Sequence, residues 1–216
     1  KYKLVSVDLK NPAKDNWREI IPEKKDVMQN VQMIGGKILA TYMQDATNHV
    51  YLYNMAGTLE SEVHLPTLGT VWFSGKQKDN IAFYMFTSFT YPSAIYKFDV
   101  NENKSSLYQQ IDLDFDLENY ETKQVFYQSK DGTKVPMFIV HKKDLKLDGN
   151  NPAYLYAYGG FGASMSPYFS TSRLLFLENG GVYAMPNIRG GGEYGDEWHK
   201  AGMLDKKQNV FDDFIA

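Results

Sequence analysis

The clearest pattern along the chain is an alternation of apolar and polar positions that recurs. Val5-Ser6-Val7-Asp8, Tyr51-Leu52-Tyr53-Asn54 and Tyr96-Lys97-Phe98-Asp99 end at residues 8, 54 and 99, a spacing of about 45 residues. The second and third copies each follow another apolar run, Ile38 to Met43 and Ile81 to Phe86. All three precede a short alternating segment, at Arg18 to Ile21, Glu62 to Leu65 and Leu107 to Ile111. Period two marks strands, so each repeat predicts about four short ones. Four strands in roughly 40 to 45 residues make the blade of a β-propeller, in which neighbouring blades cover one another's faces. Residues 27–66 and 70–112 are therefore expected to form two four-stranded antiparallel sheets packed face to face. Two blades and the tail of a third cannot close a ring, so more blades are expected before Lys1. The repeat alone leaves a generic meander of hairpins open as the alternative.

Near residue 120 the pattern changes. Gln124 to Gln128 and Val135 to Val140 flank an Asp131-Gly132 turn, a hairpin signal. A polar loop from Lys142 to Asn151 leads to an apolar strand, Ala153 to Tyr158, a glycine-rich turn and a helix over Ser170 to Glu178 that Gly180-Gly181 closes. A second strand, Val182 to Ile188, precedes the glycine-rich loop Arg189 to Gly195 and a final helix from about Asp205. Strand, helix, strand, helix with short connections predicts an α/β layer with part of its sheet parallel. The two grammars divide the chain into residues 1–120 and 121–216. Both ends fall inside a pattern: the first residues already alternate, and Val210, Phe211, Phe214 and Ile215 keep helical spacing up to Ala216. An internal piece of a longer protein is the expectation.

Composition narrows the chemistry. The chain has 216 residues, 43% hydrophobic and 23% charged, enough to bury a core. A net charge of −3 leaves no basic excess to neutralise a phosphate backbone, so nucleic acid is not an expected partner. The longest apolar patches, Leu174 to Leu177 and Val182 to Met185, are far too short to span a bilayer, and no membrane partner is expected. With no cysteine there is no disulfide framework and no thiolate site. No signal segment opens the chain; the expected compartment is the cytoplasm, with the periplasm left open because an absence of cysteine does not choose between them.

Gly190 to Gly195 satisfies G-x-G-x-x-G after a predicted strand, as a dinucleotide-binding turn would. No helix is expected directly after Gly195, however, and the acids at the right distance, Asp212 and Asp213, sit in a helical pattern rather than at a strand end. A structural glycine-rich crossing is the better reading. His49, His64, His141 and His199 include no pair at helical metal-ligand spacing, so no metal is expected. No G-x-S-x-G elbow occurs; Ser164 comes nearest, but Ser166 stands where the last glycine belongs, and Ser164 is rejected as a nucleophile. Tyr158, at the predicted end of a strand and followed by Gly159-Gly160-Phe161, would place a phenol donor where α/β sheets bind ligands. As one of 16 tyrosines it could equally be a packing residue, and the residues alone leave both readings open.

From the Asp131-Gly132 hairpin onward the sequence resembles the prolyl oligopeptidase family of serine peptidases. The resemblance is carried by Ser129-Lys130-Asp131-Gly132-Thr133-Lys134-Val135-Pro136-Met137-Phe138-Ile139-Val140, by Tyr158-Gly159-Gly160-Phe161, by Asn187-Ile188-Arg189-Gly190-Gly191-Gly192-Glu193-Tyr194-Gly195, and by Trp198-His199-Lys200 and Phe211-Asp212-Asp213-Phe214. It extends weakly over the repeats, since the family joins a propeller to an α/β-hydrolase domain in this order. What it implies is β-propeller blades followed by the start of an α/β-hydrolase domain, cut at both ends. It further implies a serine endopeptidase acting on short peptides at the carboxyl side of proline through an acyl-enzyme, without a cofactor.

The Gly-Gly-Phe after Tyr158 is similar to the proline-specific members rather than to those that cleave after basic residues. By the resemblance Tyr158 supplies an oxyanion-hole hydroxyl and Phe161 lines the pocket for the substrate proline. The family's serine follows the helix that begins here with Phe211-Asp212-Asp213-Phe214, and its Asp and His come later. No residue of this chain is therefore expected in the triad, His199, Asp212 and Asp213 included. The chain alone should be inactive, its partners being short proline-containing peptides and the remainder of its own catalytic domain. Two other classes each fit part of the pattern: a non-catalytic propeller interaction module, whose repeats would continue past residue 120, and a nucleotide-dependent oxidoreductase, which needs an acidic strand end after Gly195.

Overall fold

The structure is a computed structural model that describes residues 1–113 and 115–216. Leu4–Ser6 (β1) and Arg18–Ile21 (β2) pair antiparallel. Val27–Ile34 (β3), Lys37–Gln44 (β4), Thr47–Asn54 (β5) and Leu59–Val63 (β6) form one four-stranded meander in sequence order. Thr70–Gly75 (β7), Ile81–Ser88 (β8), Tyr91–Asp99 (β9) and Lys104–Gln110 (β10) form a second. The two remain separate sheets, as the 45-residue repeat predicts.

Alternation explains why they stack. Along β8, Ala82, Tyr84 and Phe86 point inward while Phe83 and Met85 are exposed. The inward set meets Val71 and Phe73 and, across the gap, Ile34, Leu39 and Leu52 of the preceding blade in one buried cluster. The opposite face of β3–β6 carries Ile38, Ala40, Tyr42 and Tyr53, which pack with Ile21 of β2. Each blade thus buries the face its neighbour offers.

The remainder is an α/β layer. Tyr120–Gln128 (β11), Lys134–Lys142 (β12), Ala153–Leu155 (β13) and Val182–Pro186 (β14) lie in the order β11-β12-β14-β13, with β13 and β14 parallel and the other pairs antiparallel. The helix Thr171–Glu178 (α1) connects β13 to β14, and Asp196–Lys200 (α2) and Gln208–Ile215 (α3) follow. Ser170 caps α1 by accepting the Arg173 N–H, Leu174 and Leu177 are its buried face, and the Gly180 and Gly181 N–H groups close it on Leu177 O and Phe176 O.

Three expectations need correction. The strand from Ala153 does not run to Tyr158: β13 stops at Leu155, and among the described residues it pairs only with β14, which leaves its residues exposed in this chain. Past Leu155 the Tyr156 N–H, donating to Ala184 O at 2.9 Å, prolongs the pairing. A helix does follow Gly195 directly. Five residues are too few to display a 3.6-residue apolar period, and α2 rests instead on Asp196 and Glu197 in its first turn, His199 and Lys200 in its last, and an Asp196–Lys200 ion pair at 2.5 Å. The dinucleotide arrangement still fails, since Asp212 and Asp213 lie within α3. The last helix, expected from about Asp205, is a 3₁₀ turn at Leu204–Lys206 and then α3.

Blades and α/β layer are joined through two blade turns. Asp45 and Ala46, both at positive φ (45° and 63°), make the two-residue turn between β4 and β5, and Ala46 is fully buried among Phe138, Leu177 and Tyr183. Phe89, at the turn between β8 and β9, packs on Phe138 and Tyr183 with ring centroids 5.4 and 5.9 Å away. The Arg173 guanidinium sits over the Phe89 ring at 5.1 Å. Hydrogen bonds frame the contact: Gln124 Nε2 donates to Asp45 O, and the Tyr194 hydroxyl donates to Asp45 Oδ1 at 2.7 Å. Burial, reinforced by Asp45, pushes the Tyr194 phenol far above its ordinary pKa, so the proton stays on the tyrosine. Tyr194→Phe should lower stability by about 1.5 kcal/mol, the lower end for a bond to a charged acceptor. Urea midpoints of the two proteins measure it, and a loss below about 0.5 kcal/mol would show that water replaces this bond at no cost.

Candidate active-site loop

After β13 the chain enters a loop, residues 156–168, that lies against the glycine-rich loop after β14. Tyr158 opens the first loop with its side chain half-exposed, past the end of β13. The Ala163 N–H donates to Gly160 O at 3.0 Å, closing a turn whose central residues, Phe161 and Gly162, have φ of 54° and 66°. Positive φ at both central positions is the type I′ pattern that glycine and asparagine favour. A phenylalanine there is strained by roughly 1–2 kcal/mol. The strain is not offset by packing, because Phe161 is 90% exposed.

Two glycines let the loops touch. A Cβ on Gly190 would stand 2.5 Å from Gly159 O, and one on Gly192 would overlap Gly162 O. The backbones therefore meet directly, with the Gly162 N–H donating to Gly190 O at 3.0 Å. Lys207 Nζ donates to Gly159 O at 2.8 Å, and His199 Nδ1 is 2.9 Å from Gly190 O. The G-x-G-x-x-G string is thus a loop-on-loop crossing.

Two cavities open between this loop and the blades. One, of about 730 Å³, lies between Gln29, Asn30 and Trp72 on the blade side and Ser164 to Tyr168 on the other. The second, of about 440 Å³, is bordered by Met28, Gln29, Gly162, Ser164 and His199. Ser164 borders both, whereas Tyr158 and Phe161 border neither. Among the described residues no serine hydroxyl is hydrogen-bonded to a histidine: His49 meets Glu62, His141 meets Lys142 O, and His199 meets Gly190 O. His64 is exposed. No group of three or more acidic or histidine side chains among them is placed to hold a metal ion.

Beneath the loops is a buried ion cluster that sequence reading missed. Arg189 is 5% exposed and Asp213 fully buried. The guanidinium donates to Asp213 Oδ1 at 2.6 Å through Nη2 and at 3.1 Å through Nε, and the Arg189 N–H donates to Asp213 Oδ2 at 2.9 Å. Its other edge donates to Asp131 Oδ2 at 2.5 Å and to Ser129 Oγ at 3.3 Å. One side chain thereby ties the 129–133 turn, the end of β14 and α3 together. The only sequence signal was an arginine at the mouth of a glycine run. The Asp212 side chain instead accepts from Gln208 Nε2 at 3.0 Å.

Comparison with known proteins gives a consistent result. Residues 1–111 match the prolyl oligopeptidase N-terminal β-propeller domain, and residues 167–216 match the prolyl oligopeptidase family. Tyr158 and Phe161 fall between the two matched stretches. The prolyl endopeptidase of Elizabethkingia miricola is 46% identical over 215 residues, 99% of this chain and 30% of that protein. A solved prolyl endopeptidase superposes with a TM-score of 0.95 at 49% identity, covering 99% of this chain and 32% of that one. Prolyl oligopeptidase B from Galerina marginata, solved with a 35-residue hydrolysis and macrocyclisation substrate, gives 0.92 at 38% identity over 100% of this chain and 31% of its own. The chain spans about 30% of the length of the curated relatives it matches. Blades that stack as the repeat requires, leading into a sheet with a parallel β13–β14 pair, accord with a match that takes in more than half of the chain, and the chain belongs to the prolyl oligopeptidase family.

Proposed function

We propose that the protein containing this chain is a serine endopeptidase that hydrolyses short peptides on the carboxyl side of proline through an acyl-enzyme. Residues 1–120 are the last blades of its propeller, and residues 121–216 the N-terminal part of its α/β-hydrolase domain. Tyr158 donates its hydroxyl to the oxyanion of the tetrahedral intermediate, and Phe161 forms part of the proline pocket. The serine, the general base and its orienting acid are assigned to no residue of this chain. Short proline-containing peptides and the rest of the catalytic domain are its partners, and the cytoplasm its compartment. Among the described residues no helix is long and apolar enough to cross a membrane.

The observation that carries the reading is the strained turn after Tyr158. Within this chain the aromatic ring, held by a left-handed backbone, is 90% exposed and finds no packing partner. Strain without a packing return is the mark of a residue placed for a ligand. The family relation then favours proline as what the ring meets, since these relatives are named for proline.

The test is hydrolysis of matched chromogenic peptides ending in proline or lysine. The full-length protein should turn over the proline peptide and leave the lysine one intact, whereas the 216-residue chain alone should cleave neither. Preference for lysine would overturn the specificity. Turnover by the chain alone, lost on Ser164→Ala, would overturn both the assignment of the nucleophile elsewhere and the rejection of Ser164.

A further inference from the structure

Glu193 is a charged residue in the middle of a glycine run, yet it is 1% exposed. Its Oε1 accepts the Met165 N–H at 2.8 Å and an Asn187 Nδ2 hydrogen at 3.2 Å. Asn187 Nδ2 also donates to Met165 O at 2.6 Å. Both main-chain polar groups of Met165 are therefore gripped by two buried side chains of the neighbouring loop. Glu193 Oε2 and Asn187 Oδ1 are buried with no hydrogen-bond partner. A Cβ on Gly191 would overlap Glu193 Oε2, so the carboxyl is packed flat against that glycine.

We propose that Glu193 and Asn187 are positioning residues for the peptidase reaction: by holding Met165 they fix the loop from Tyr158 to Pro167 as a rigid wall facing the substrate. The inference rests on the proposed roles of Tyr158 and Phe161 and extends them to the residues that keep the loop in place. The loop is anchored at Gly159 by Lys207, at Gly162 by Gly190, at Met165 by this pair and at Pro167 by Thr70, whose hydroxyl donates to Pro167 O at 2.6 Å. Without the third anchor, Met165 would carry an unpaired main-chain N–H and C=O beside a 730 Å³ cavity that it borders. A loop released there moves the elements that continue from it, and a displacement of about 1 Å in a positioning element can cost about 10²-fold in rate. Burial favours the neutral form of the Glu193 carboxyl, against the opposing pull of the Met165 and Asn187 donors. In either form Oε1 remains the acceptor for the Met165 N–H.

The two variants that separate this from bulk stability are Glu193→Leu, which keeps the volume and removes the acceptor, and Glu193→Gln, which restores a neutral acceptor. Both are made in the full-length protein and assayed on a proline peptide per titrated active site, with hydrogen exchange of the segment 159–168. For Glu193→Leu, kcat should fall by about tenfold or more while KM changes by less than about threefold. Exchange should quicken in that segment and not in the blades. Glu193→Gln should return kcat to within about threefold of wild type, because the neutral acceptor is restored. If Glu193→Leu does not fold, Asn187→Ser, which withdraws the donor to Met165 O, takes its place with the same readings. An unchanged kcat in the acceptor-free variant, or a Gln variant as impaired as the Leu one, would overturn the clamp. Tyr158→Phe is run alongside: a wild-type protein inactive on proline peptides, or a Tyr158→Phe with full activity, would instead sink the reading on which the clamp rests.

Discussion

Tyr158→Phe in the full-length protein is expected to lower kcat for a proline peptide by about 10²- to 10³-fold, roughly 2.7 to 4 kcal/mol of transition-state stabilisation. The substitution removes one oxygen and leaves the ring. Because Tyr158 lies past the end of β13 and is half-exposed, its hydroxyl is not part of the packed core. The thermal melt should therefore match wild type. KM should change far less than kcat, since the donor acts on charge that develops only in the transition state. Steady-state kinetics and melts of both proteins measure the two effects. A kcat within about threefold of wild type, far short of the loss expected for an oxyanion donor, would return Tyr158 to the ordinary packing tyrosines.

Asp213→Ala is the largest expected loss of stability, about 3–5 kcal/mol, the range for removing one partner of a buried ion pair. Asp213 is fully buried and receives three donors from Arg189, counting the main-chain N–H. Its removal leaves a guanidinium that is 5% exposed with only Asp131 and Ser129 as acceptors. Arg189→Met should cost a similar amount by stranding the Asp213 carboxylate. Combining Arg189→Met with Asp213→Leu should recover part of the loss, because an apolar pair leaves no unpaired charge. Urea unfolding of wild type and the three variants measures these losses, and single-variant losses below about 1 kcal/mol would show the cluster to be solvated rather than structural.

Acid acts on the exposed end of the same cluster. The Arg189 guanidinium, helped by Thr133, holds the Asp131 carboxyl well below the usual carboxylate range. A depressed folded-state pKa contributes stability that is complete above the unfolded value and is lost as pH falls through the folded one. The Asp131 share should persist at neutral pH and down to the ordinary carboxylate pKa, and disappear only in stronger acid.

Legibility tracked the range of the interactions. The blades were readable because strand alternation is local and repeats: the runs at Ile38, Ile81 and Arg18 became β4, β8 and β2. Helix α1 announced itself through Ser170 and Gly180, residues whose effect is confined to one turn. Helix α2 did not, since five residues hold less than two turns of periodicity. Glu193 reads in sequence as a solvated charge between glycines, and its burial depends on Met165 and Asn187, the first of which comes from another loop. Arg189, Asp131 and Asp213 are likewise separated by long stretches of chain, and no local pattern links them. The strain at Phe161 was equally hidden, because a Gly-Gly-Phe-Gly string does not show which residue takes the left-handed conformation.

The two blade turns set into the α/β layer impose an order on assembly. Ala46 and Phe89 are synthesised well before Phe138 and Tyr183, whose side chains form their socket. During N-to-C synthesis the blades can complete their own local, low-separation pairings while these two turns wait with apolar surface uncovered. The α/β sheet, by contrast, closes its core only on turns that already exist. Blade formation is thus a template step for the domain that follows it, and a blade mutation that delays the β4–β5 or β8–β9 hairpin should act on the folding yield of residues it never touches.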